Sequence, residues 1–470
     1  MNTTTSLLFA NLLLAVPFQA AAQKTFTTAD GEAVQACLRE SYAKGNAGMV
    51  VGLLDSTGTR VFAAGKLDDG TDGEVDGDTV FEIGSVTKTF TSLVAMDMDR
   101  GGMWKLDDPV AKYLPKDVRV PSFEGKPITL RHLAAQDSGL PFNVDNLSSK
   151  EPRVGYNAYT VEDLYAFLKS HQLTNAPGAR FEYSNAGMSL LGHAMERASG
   201  ESFESLVLRR ICRPLHMDST RTTLTPEMKS RMATGHAPNG ERAANLNLQV
   251  MAGAGALKSS VNDLLKYVSA QLGFTASELG PLIAESQVIR HTGAANFGRT
   301  AMPWVDGDSY TPPGSELLGH AGGTFGFSAF IGFDRKQRRG VVVLTNQRVT
   351  SSAAVGWLIL QDLPLTKANI EMPVREVIGL GAALGSDDAT GIVRITRVFP
   401  KSPAGKAGLA PGLLIQKING TSIEGKPLKE CLEMMGGPVG TKVSMELLDP
   451  ERKKTKTVEL TRQKFVTASE

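Results

Sequence analysis

The sequence predicts an α/β protein followed by a smaller, β-rich region, and three features of the chain carry this prediction. Apolar side chains recur at helical spacing after Ser85 until the glycine pair at 101–102 ends the pattern. Strand-like runs over residues 323–333 and 340–345 flank a polar turn, which is typical of a hairpin within a sheet. From about Val374 onwards, short strands and tight turns replace this mixed pattern.

The other elements of the larger region are predicted from the same periodicities. They are a helix over 33–44, a strand over 48–54, a short strand over 81–84, a helix over 188–198 that Gly200 ends, and an apolar helix over 352–360. We expect the last of these helices to pack on the sheet beside the first.

Length and composition indicate a soluble protein of several domains. The chain has 470 residues, of which 41% are hydrophobic and 21% charged, so it can bury substantial cores. Its net charge is +1 and no basic cluster stands out, so we do not expect a nucleic-acid partner. The expected divisions are a signal peptide at 1–22, a catalytic domain at 23–365, a linker at 366–373 and a C-terminal domain at 374–465.

The first residues resemble an export signal. The apolar stretch at 7–16 is too short to span a bilayer comfortably, and the alanines at 20–22 offer a cleavage site. The stretch before it has no Lys or Arg, which leaves an uncleaved anchor or a buried helix as the alternative. We expect a periplasmic or secreted protein with no stable membrane anchor after cleavage.

The three cysteines are Cys37, Cys212 and Cys431. An odd number leaves at least one free thiol if all bonds are intramolecular, and whether Cys37 pairs with Cys212 is left open. No spacing typical of metal ligands occurs among the cysteines and the seven histidines, so neither a metal nor a cofactor is expected.

Ser85 and Lys88 form the first candidate catalytic motif. Residues three apart share one face of a helix, so a helix starting at Ser85 would bring the Lys88 amine near the Ser85 hydroxyl. A lysine accepts a proton only when neutral, and burial lowers its pKa towards that state. We therefore expect Lys88 to be enclosed. Ser41 and Lys44 repeat the spacing at the end of a helix, and we interpret that copy as surface.

Tyr183 and Asn185 form the second motif, just ahead of a predicted helix. These residues would also fit an ordinary capped turn with Asn185 as N-cap. In a catalytic role, the Tyr183 hydroxyl would pass a proton between Ser85 and a leaving group. Asn185 would hydrogen-bond Lys88 and the amide of the substrate.

His320 begins the third motif, ahead of a glycine-rich strand. Gly322 and Thr324 are expected to contact the substrate, and the Gly323 N–H would pair with the Ser85 N–H as an oxyanion hole. His291 also precedes a Thr-Gly pair but lacks the hairpin that follows His320, so we interpret it as a loop histidine.

The three motifs resemble those of the serine β-lactamase and penicillin-binding protein superfamily, in its class C-like branch with D,D-peptidases, D-aminopeptidases and esterases. The resemblance runs from about residue 30 to 362 and extends to the linking segments 106–110, 128–133 and 138–141. It implies an antiparallel sheet flanked by helices, an inserted all-helical subdomain and a site in the cleft between them.

The chain departs from class C β-lactamases at His320, where those enzymes usually carry lysine. A histidine near neutral pH does not hold a full charge for a substrate carboxylate, which argues against efficient β-lactam hydrolysis. The acidic deacylation base of class A enzymes has no counterpart here, which makes Tyr183 the candidate for activating water.

The C-terminal region is similar to a PDZ domain of the bacterial protease type. Its most specific mark is the Ser-Pro-Ala-x-x-Ala-Gly-Leu string at 402–409, where Ser402 would cap a short helix. The usual Asp after Pro411-Gly412 is Leu413 here. A PDZ domain implies capture of a peptide C-terminus. Gly379, Leu380, Gly381 and Ala382 would form the carboxylate loop, or equally an ordinary glycine turn.

The sequence therefore predicts an exported serine hydrolase that acts through an acyl-Ser85 intermediate on a D-amino-acid peptide, a β-lactam or a small ester. The alternative is a catalytically weak penicillin- or peptide-binding protein that uses its cleft and PDZ domain for recognition. An intact set of Ser85, Lys88 and Tyr183 argues against that alternative.

Overall fold

A computed structural model describes residues 24–148, 151–294, 297–306, 316–348, 352–370, 374–386, 392–398, 402–450 and 453–468. The predicted signal peptide at 1–22 lies outside these residues. Among the residues described, no helix has the length and apolar character needed to cross a membrane.

The helices, in chain order, are α1 (Thr28–Ser41), α2 (Thr87–Arg100), α3 (Leu130–Ala134), α4 (Pro152–Ala158), α5 (Val161–Ser170), α6 (Asn185–Ser199), α7 (Phe203–Val207), α8 (Pro226–Lys229), α9 (Ala252–Gly255), α10 (Val261–Gln271), α11 (Gly280–Ser286), α12 (Ser352–Leu360), α13 (Lys367–Ile370), α14 (Pro403–Lys406) and α15 (Leu428–Met435). Short 3-10 turns lie at Gly84–Val86 and Val110–Tyr113, and a π-helical turn at Leu208–Cys212 continues α7.

The strands, in chain order, are β1 (Gly48–Asp55), β2 (Gly58–Gly65), β3 (Phe81–Glu82), β4 (Ser122–Phe123), β5 (Lys126–Pro127), β6 (Gly235–His236), β7 (Arg242–Ala243), β8 (Lys258–Ser259), β9 (His291–Ala294), β10 (Gly298–Thr300), β11 (Leu317–Gly323), β12 (Ser328–Asp334), β13 (Arg339–Thr345), β14 (Val374–Gly379), β15 (Ala382–Ser386), β16 (Val393–Val398), β17 (Leu414–Ile418), β18 (Thr421–Ser422), β19 (Lys442–Asp449), β20 (Lys454–Thr461) and β21 (Gln463–Ala468).

The central sheet is antiparallel, with the strand order β11-β12-β13-β1-β2. β1, near the start of the larger region, pairs with β13, near its end. All eight residues of β1 are buried, so its backbone N–H and C=O groups need a neighbouring strand on each side. This confirms the predicted antiparallel sheet. β11 is an edge of this sheet, and the 3-10 turn at Gly84–Val86, just before α2, lies against it.

Helices cover both faces of the sheet, as predicted. Alternate residues of β1 point to opposite faces: Val50 joins a core with α2, α6 and α10, whereas Val51 joins a core with α1 and α12. Helix α12 therefore packs on the sheet beside α1, as the sequence indicated. Between β2 and β11 the elements are mostly helices, and each strand there has only two to four residues, which matches the expected helical subdomain.

All three cysteines are buried free thiols. Cys37 lies in the core between α1 and the sheet, Cys212 in the larger core on the opposite face, and Cys431 in the core of the C-terminal domain. The sheet separates Cys37 from Cys212, so these two residues do not form the disulfide that the sequence left open.

The segment predicted as a linker begins as a helix. α13 packs on α1 and α12, and Ile370 is buried in the core that these helices share. The apolar side chain of Ile370 explains the helix, because it gains a buried position there. Residues 371–373 lie outside the described part of the chain.

The C-terminal domain is β-rich, as predicted. Its main sheet has the order β15-β16-β17-β19-β20, and β14 pairs with β21. Ser402 caps α14 by accepting a hydrogen bond from the Gly405 N–H at 3.2 Å, and Pro403 occupies the first helical turn. Helix α15 packs beside β15 and β17 over a core that includes Ile395, Met445 and Leu447.

Two local predictions need correction. The run over 323–333 is not one strand, because β11 ends at Gly323 and a turn follows, closed by the Thr324 N–H donating to the Phe327 carbonyl at 3.0 Å. A Cβ atom on Gly326 would lie 2.8 Å from the Gly235 Cα, so the close approach of β6 requires glycine in this turn. His320 therefore lies in the middle of a strand rather than ahead of one. In addition, α2 begins at Thr87, and Ser85 belongs to the 3-10 turn that precedes it.

Candidate active site

The turn that carries Ser85 lies directly on the backbone of β11. A Cβ atom added to Gly322 would lie 2.0 Å from the Ile83 carbonyl oxygen and 3.2 Å from the Ser85 nitrogen. Gly84 has φ +47°, and a Cβ there would lie 2.7 Å from the Gly323 nitrogen. Only glycine fits both positions, and this contact brings the backbone of Gly322 and Gly323 against the turn that carries Ser85.

Lys88 is fully buried one helical turn after Ser85. Its Nζ atom lies 3.0 Å from Ser85 Oγ and donates a hydrogen bond to the Ala254 carbonyl at 2.7 Å. Burial lowers the pKa of Lys88 well below its ordinary value, because desolvation disfavours the charged form. The enclosure that the sequence predicted is present, and the amine beside Ser85 is poised to accept a proton.

Tyr183, two residues before α6, lies beside the same hydroxyl. Its ring centroid lies 4.8 Å from Lys88 Nζ, and its phenol is close enough to Ser85 for that residue to affect its pKa. Burial raises the pKa of Tyr183 above its ordinary value, so the phenol keeps its proton at neutral pH. The hydroxyl of Ser85 is therefore held between a basic amine and a proton-bearing phenol.

His320 completes the cluster from β11. Its ring centroid lies 6.2 Å from that of Tyr183, and its Nδ1 atom lies 2.7 Å from the Ala321 carbonyl oxygen. Burial, the larger cause, and the charge of Lys88 when that amine is protonated lower the pKa of His320 to about 3. The imidazole is thus neutral at physiological pH, which agrees with the expectation that it does not supply a charge for a substrate carboxylate.

Asn185 makes a different contact from the one predicted. Its side-chain N–H donates to Asn143 Oδ1 at 2.8 Å, while the amine of Lys88 uses the Ala254 carbonyl. Nor is Asn185 the N-cap of α6: the cap is Ser184, whose hydroxyl accepts from the Gly187 N–H at 2.8 Å. A serine one residue earlier fits the cap equally well, and the sequence alone did not separate the two.

Gly322 and Thr324 are both buried. Gly322 packs on the Ser85 turn, and the Thr324 hydroxyl lies next to the buried Glu82 carboxylate, which also accepts from the Leu246 N–H at 2.7 Å. Their contact with substrate stays a prediction. The side chain of Glu82, which the sequence analysis did not single out, links the β3 strand before Ser85 to two loops at the site.

The two decoy motifs lie apart from this cluster. Ser41 ends α1 and Lys44 is exposed. His291 was expected in a loop but begins β9, which pairs with β10, and its Nε2 lies 2.9 Å from Asp137 Oδ2. The short hairpin was missed because residues 291–300 contain few apolar residues in alternation.

Arg348 is a residue of the site that the sequence analysis missed. A Cβ atom on Gly323 would lie 3.2 Å from Arg348 Cζ, so the guanidinium covers the exposed side of the β11 edge. The Arg348 N–H donates to the His236 carbonyl at 2.9 Å, which fixes this segment. The position of Arg348 just after β13 did not indicate a role at the site. Only the pairing of β11, β12 and β13 in the sheet brings Arg348 next to Gly323.

A serine hydroxyl between a buried amine of lowered pKa and a tyrosine phenol, next to the backbone of Gly323, has the parts needed for acyl transfer. The fold and this cluster together define a serine hydrolase of the β-lactamase and D,D-peptidase type. Among the described residues, no group of histidine, cysteine or acidic side chains is arranged to hold a metal ion.

Comparisons with known proteins lead to the same class. The Beta-lactamase family matches residues 34–363, and the PDZ domain family matches residues 368–448. The chain therefore belongs to the Beta-lactamase family and carries a PDZ domain after it.

Individual relatives cover different shares of the chain. The D-alanyl-D-alanine-carboxypeptidase/endopeptidase AmpH of Escherichia coli K12 is 32% identical over 232 residues, which are 49% of this chain and 59% of AmpH. The chain thus spans little more than half of that relative. A beta-lactamase of the same strain is 28% identical over 67% of this chain and 89% of its own length. The class C β-lactamase structure from Rhodobacter sphaeroides shares the fold, with a TM-score of 0.60 and 24% identity over 72% of this chain and 99% of its own.

The buried amine makes the stability of this domain depend on pH. In the unfolded chain Lys88 has its ordinary pKa near 10.4, whereas its pKa in the folded protein is lowered. At any pH between these two values, the amine is neutral in the folded protein and takes up a proton on unfolding. The free energy of unfolding therefore rises with pH in this window. We expect Lys88→Met to remove that proton uptake, which lowers the slope by about 1.4 kcal/mol per pH unit. Urea unfolding between pH 7 and 9 checks this, since all three tryptophans lie before residue 364 and report on this domain.

Lys44→Met is the matched control, because Lys44 is exposed in the second Ser-x-x-Lys copy. The control should keep the slope of the unmodified protein. Equal slopes in Lys88→Met and the unmodified protein would contradict a neutral Lys88.

Proposed function

We propose that the protein is exported and cleaves an amide or ester through a covalent acyl-Ser85 intermediate. The observation that carries this proposal is the Ser85 hydroxyl, 3.0 Å from the buried Lys88 amine, with the Tyr183 ring centroid 4.8 Å from that amine. Export rests on the predicted signal at 1–22.

The order of proton transfers follows from the two pKa shifts. Lys88, whose pKa is lowered, takes the Ser85 proton while Oγ attacks the carbonyl carbon. The negative oxygen is stabilised by the Ser85 and Gly323 N–H groups. As the bond to the leaving group breaks, Tyr183, whose pKa is raised, donates its proton to the leaving atom and regains one from Lys88. Water then attacks the acyl carbon while its proton passes to Tyr183 and the phenol proton moves to Lys88. When the bond to Ser85 Oγ breaks, Lys88 returns this proton to Oγ, which restores the free enzyme.

The other site residues are assigned to positioning and charge. Neutral His320 packs near the Tyr183 ring and helps to hold the phenol, and Asn185 orients the substrate amide together with Asn143. Arg348 supplies the positive charge that His320 lacks, so a substrate carboxylate would lie at the Gly323 edge. AmpH acts on D-alanyl-D-alanine peptides by its name, and such peptides, β-lactams and small esters are the candidate substrates.

Covalent labelling tests the acyl-serine mechanism. We expect a fluorophosphonate or a fluorescent penicillin to label the protein, and Ser85→Ala to abolish labelling because the nucleophilic oxygen is gone. Ser41→Ala should label normally and serves as the matched control. Turnover of nitrocefin, a nitrophenyl ester and a D-Ala-D-Ala peptide should fall together in Ser85→Ala. A protein that shows no covalent adduct would be the binding protein of the alternative hypothesis.

The placement of the third motif is tested by two histidine variants. His320→Ala removes a ring beside Tyr183, and we expect kcat to fall by about 100-fold, the lower range for a lost proton-transfer arrangement. His291→Ala, which loses only the Asp137 contact, should change kcat much less. Equal losses, measured with the nitrophenyl ester, would refute the assignment of His320.

We further propose that the PDZ domain binds the C-terminus of a peptide. The Leu380 carbonyl accepts from the Ala404 N–H at 2.8 Å, and the Gly381 carbonyl accepts from the Ser402 hydroxyl at 3.2 Å. Because C=O and N–H point in opposite directions across a trans peptide, the Gly381 and Ala382 N–H groups point away from α14. They would receive the carboxylate, and the peptide would add a strand to β15 beside α15.

A peptide with a free C-terminus should bind at least tenfold more tightly than its amide, because the amide cannot accept charge-assisted hydrogen bonds. Fluorescence anisotropy with labelled hexapeptides ending in Val, Leu or Ala measures this. Gly381→Ala, at φ +76°, should weaken binding, whereas Gly420→Ala, at φ +78° in a distant turn, imposes the same backbone strain without that effect. Equal affinity for acid and amide would exclude carboxylate capture.

A further inference from the structure

Gln136 contacts the residues on both sides of Tyr183. Its backbone carbonyl accepts a hydrogen bond from the Glu182 N–H at 2.7 Å. Its side-chain Oε1 atom accepts one from the Ser184 N–H, also at 2.7 Å. A single residue, only 1% exposed, thus fixes the chain immediately before and immediately after the phenol.

The segment that carries Tyr183 depends on contacts of this kind. Residues 181–184 lie outside any helix or strand, and α6 begins only after them. The direction of the Tyr183 side chain is therefore set by hydrogen bonds to the neighbouring segment rather than by a helix. Besides the two bonds to Gln136, the Ser184 hydroxyl donates to the Pro141 carbonyl at 2.7 Å.

The backbone of Gln136 has a conformation that glycine normally occupies. Helix α3 ends in a Schellman motif, in which the Gln136 N–H donates to the Leu133 carbonyl at 3.3 Å. The Asp137 N–H donates to the His132 carbonyl at 3.0 Å in the same motif. The motif requires a left-handed residue, and Gln136 has φ +62°. Glycine adopts this conformation without steric cost and glutamine does not, so a side chain kept here points to a use for that side chain.

The side-chain amide of Gln136 is paired at one end only. The Ser184 N–H can only donate, so the atom that faces it is the acceptor Oε1. The Nε2 atom of the same amide is buried and has no hydrogen-bond partner among the residues that the structure describes. An unpaired buried N–H group is unfavourable for stability. Both the backbone strain and the unpaired Nε2 are explained if the Oε1 contact serves the site rather than the fold.

We propose that Gln136 is a positioning residue for Tyr183, which holds the backbone on both sides of the phenol so that the hydroxyl points at the leaving atom. This inference rests on the proposed function, in which Tyr183 donates its proton to that atom. A displacement of about 1 Å at a reacting group can lower a rate by roughly 100-fold. Transfer of the Ser85 proton to Lys88, 3.0 Å away, does not use the contacts of Gln136.

Acetate esters with different leaving groups test the proposal. Para-nitrophenyl, phenyl and benzyl acetate share one acyl group and have an aromatic leaving group, but the acidity of the departing alcohol decreases in that order. The nitrophenolate departs without being protonated, whereas benzyl alcohol needs a proton from Tyr183. The ratio of kcat/KM for benzyl acetate to that for para-nitrophenyl acetate therefore measures protonation of the leaving group. Both values come from one preparation, so the ratio does not depend on the fraction of folded enzyme.

Two variants remove the Oε1 contact. Gln136→Met keeps a side chain of similar size, and Gln136→Gly also relieves the strain at φ +62° and should fold. We expect each variant to lower the ratio by roughly 10- to 100-fold, because a misplaced acid loses part of the contribution of proton transfer to the rate. The value of kcat/KM for para-nitrophenyl acetate should change much less.

Two further variants make the result specific. Gln287→Met removes another buried glutamine, whose side chain donates to Gln271 Oε1 at 3.0 Å, and should keep the ratio of the unmodified protein. Tyr183→Phe removes the phenol and should lower the ratio at least as far as the Gln136 variants do. In the Tyr183→Phe background, Gln136→Met should change the ratio no further, because no acid is left to position.

The outcomes separate this inference from the proposed function. If Ser85 is labelled but both Gln136 variants keep the ratio, or lose activity equally towards all three esters, Gln136 has no role in positioning and the inference fails alone. It also fails alone if Gln136→Met lowers the ratio just as far in the Tyr183→Phe background. If Ser85 is not labelled, or if Tyr183→Phe leaves the ratio unchanged, the proposed function fails and this inference fails with it.

Discussion

The close contact between β11 and the turn at Gly84–Val86 is the constraint on which the rest of the site depends. With no side chain at Gly84 or Gly322, two backbone segments lie against each other where any Cβ would overlap a carbonyl oxygen or an amide nitrogen. That contact puts backbone, rather than flexible side chains, beside Ser85. It also brings His320 and the Ser85 turn into one wall, although 235 positions in the sequence separate Ser85 from His320.

Burial then shifts the pKa values of Lys88 and Tyr183 in opposite directions. Removing water lowers the pKa of the Lys88 amine and raises that of the Tyr183 phenol, because in each case the neutral form is favoured. One physical cause thus favours the neutral form of both groups beside the Ser85 hydroxyl. The same burial keeps His320 neutral, while the Arg348 guanidinium lies at the exposed edge of β11.

The sequence predicted what local periodicity and short motifs determine. Strands β1 and β13, helix α12, the Ser402 cap and the enclosure of Lys88 follow from apolar spacing and from the chemistry of single residues. What it missed depends on contacts between distant segments. Lys88 hydrogen-bonds the Ala254 carbonyl rather than Asn185, and Arg348 contacts Gly323. Both contacts exist only because elements distant in the sequence pack together. Tertiary packing also gave Ile370 a buried place and turned the start of the expected linker into a helix.

The three cysteines have a consequence for where the protein can mature. Each thiol sits in a different hydrophobic core, and burial raises the pKa of Cys37, Cys212 and Cys431, which keeps them as unreactive thiols. No covalent cross-link has to form for these cores to assemble. Folding should therefore proceed equally in reducing and oxidising compartments, independently of the oxidoreductases that many exported proteins require.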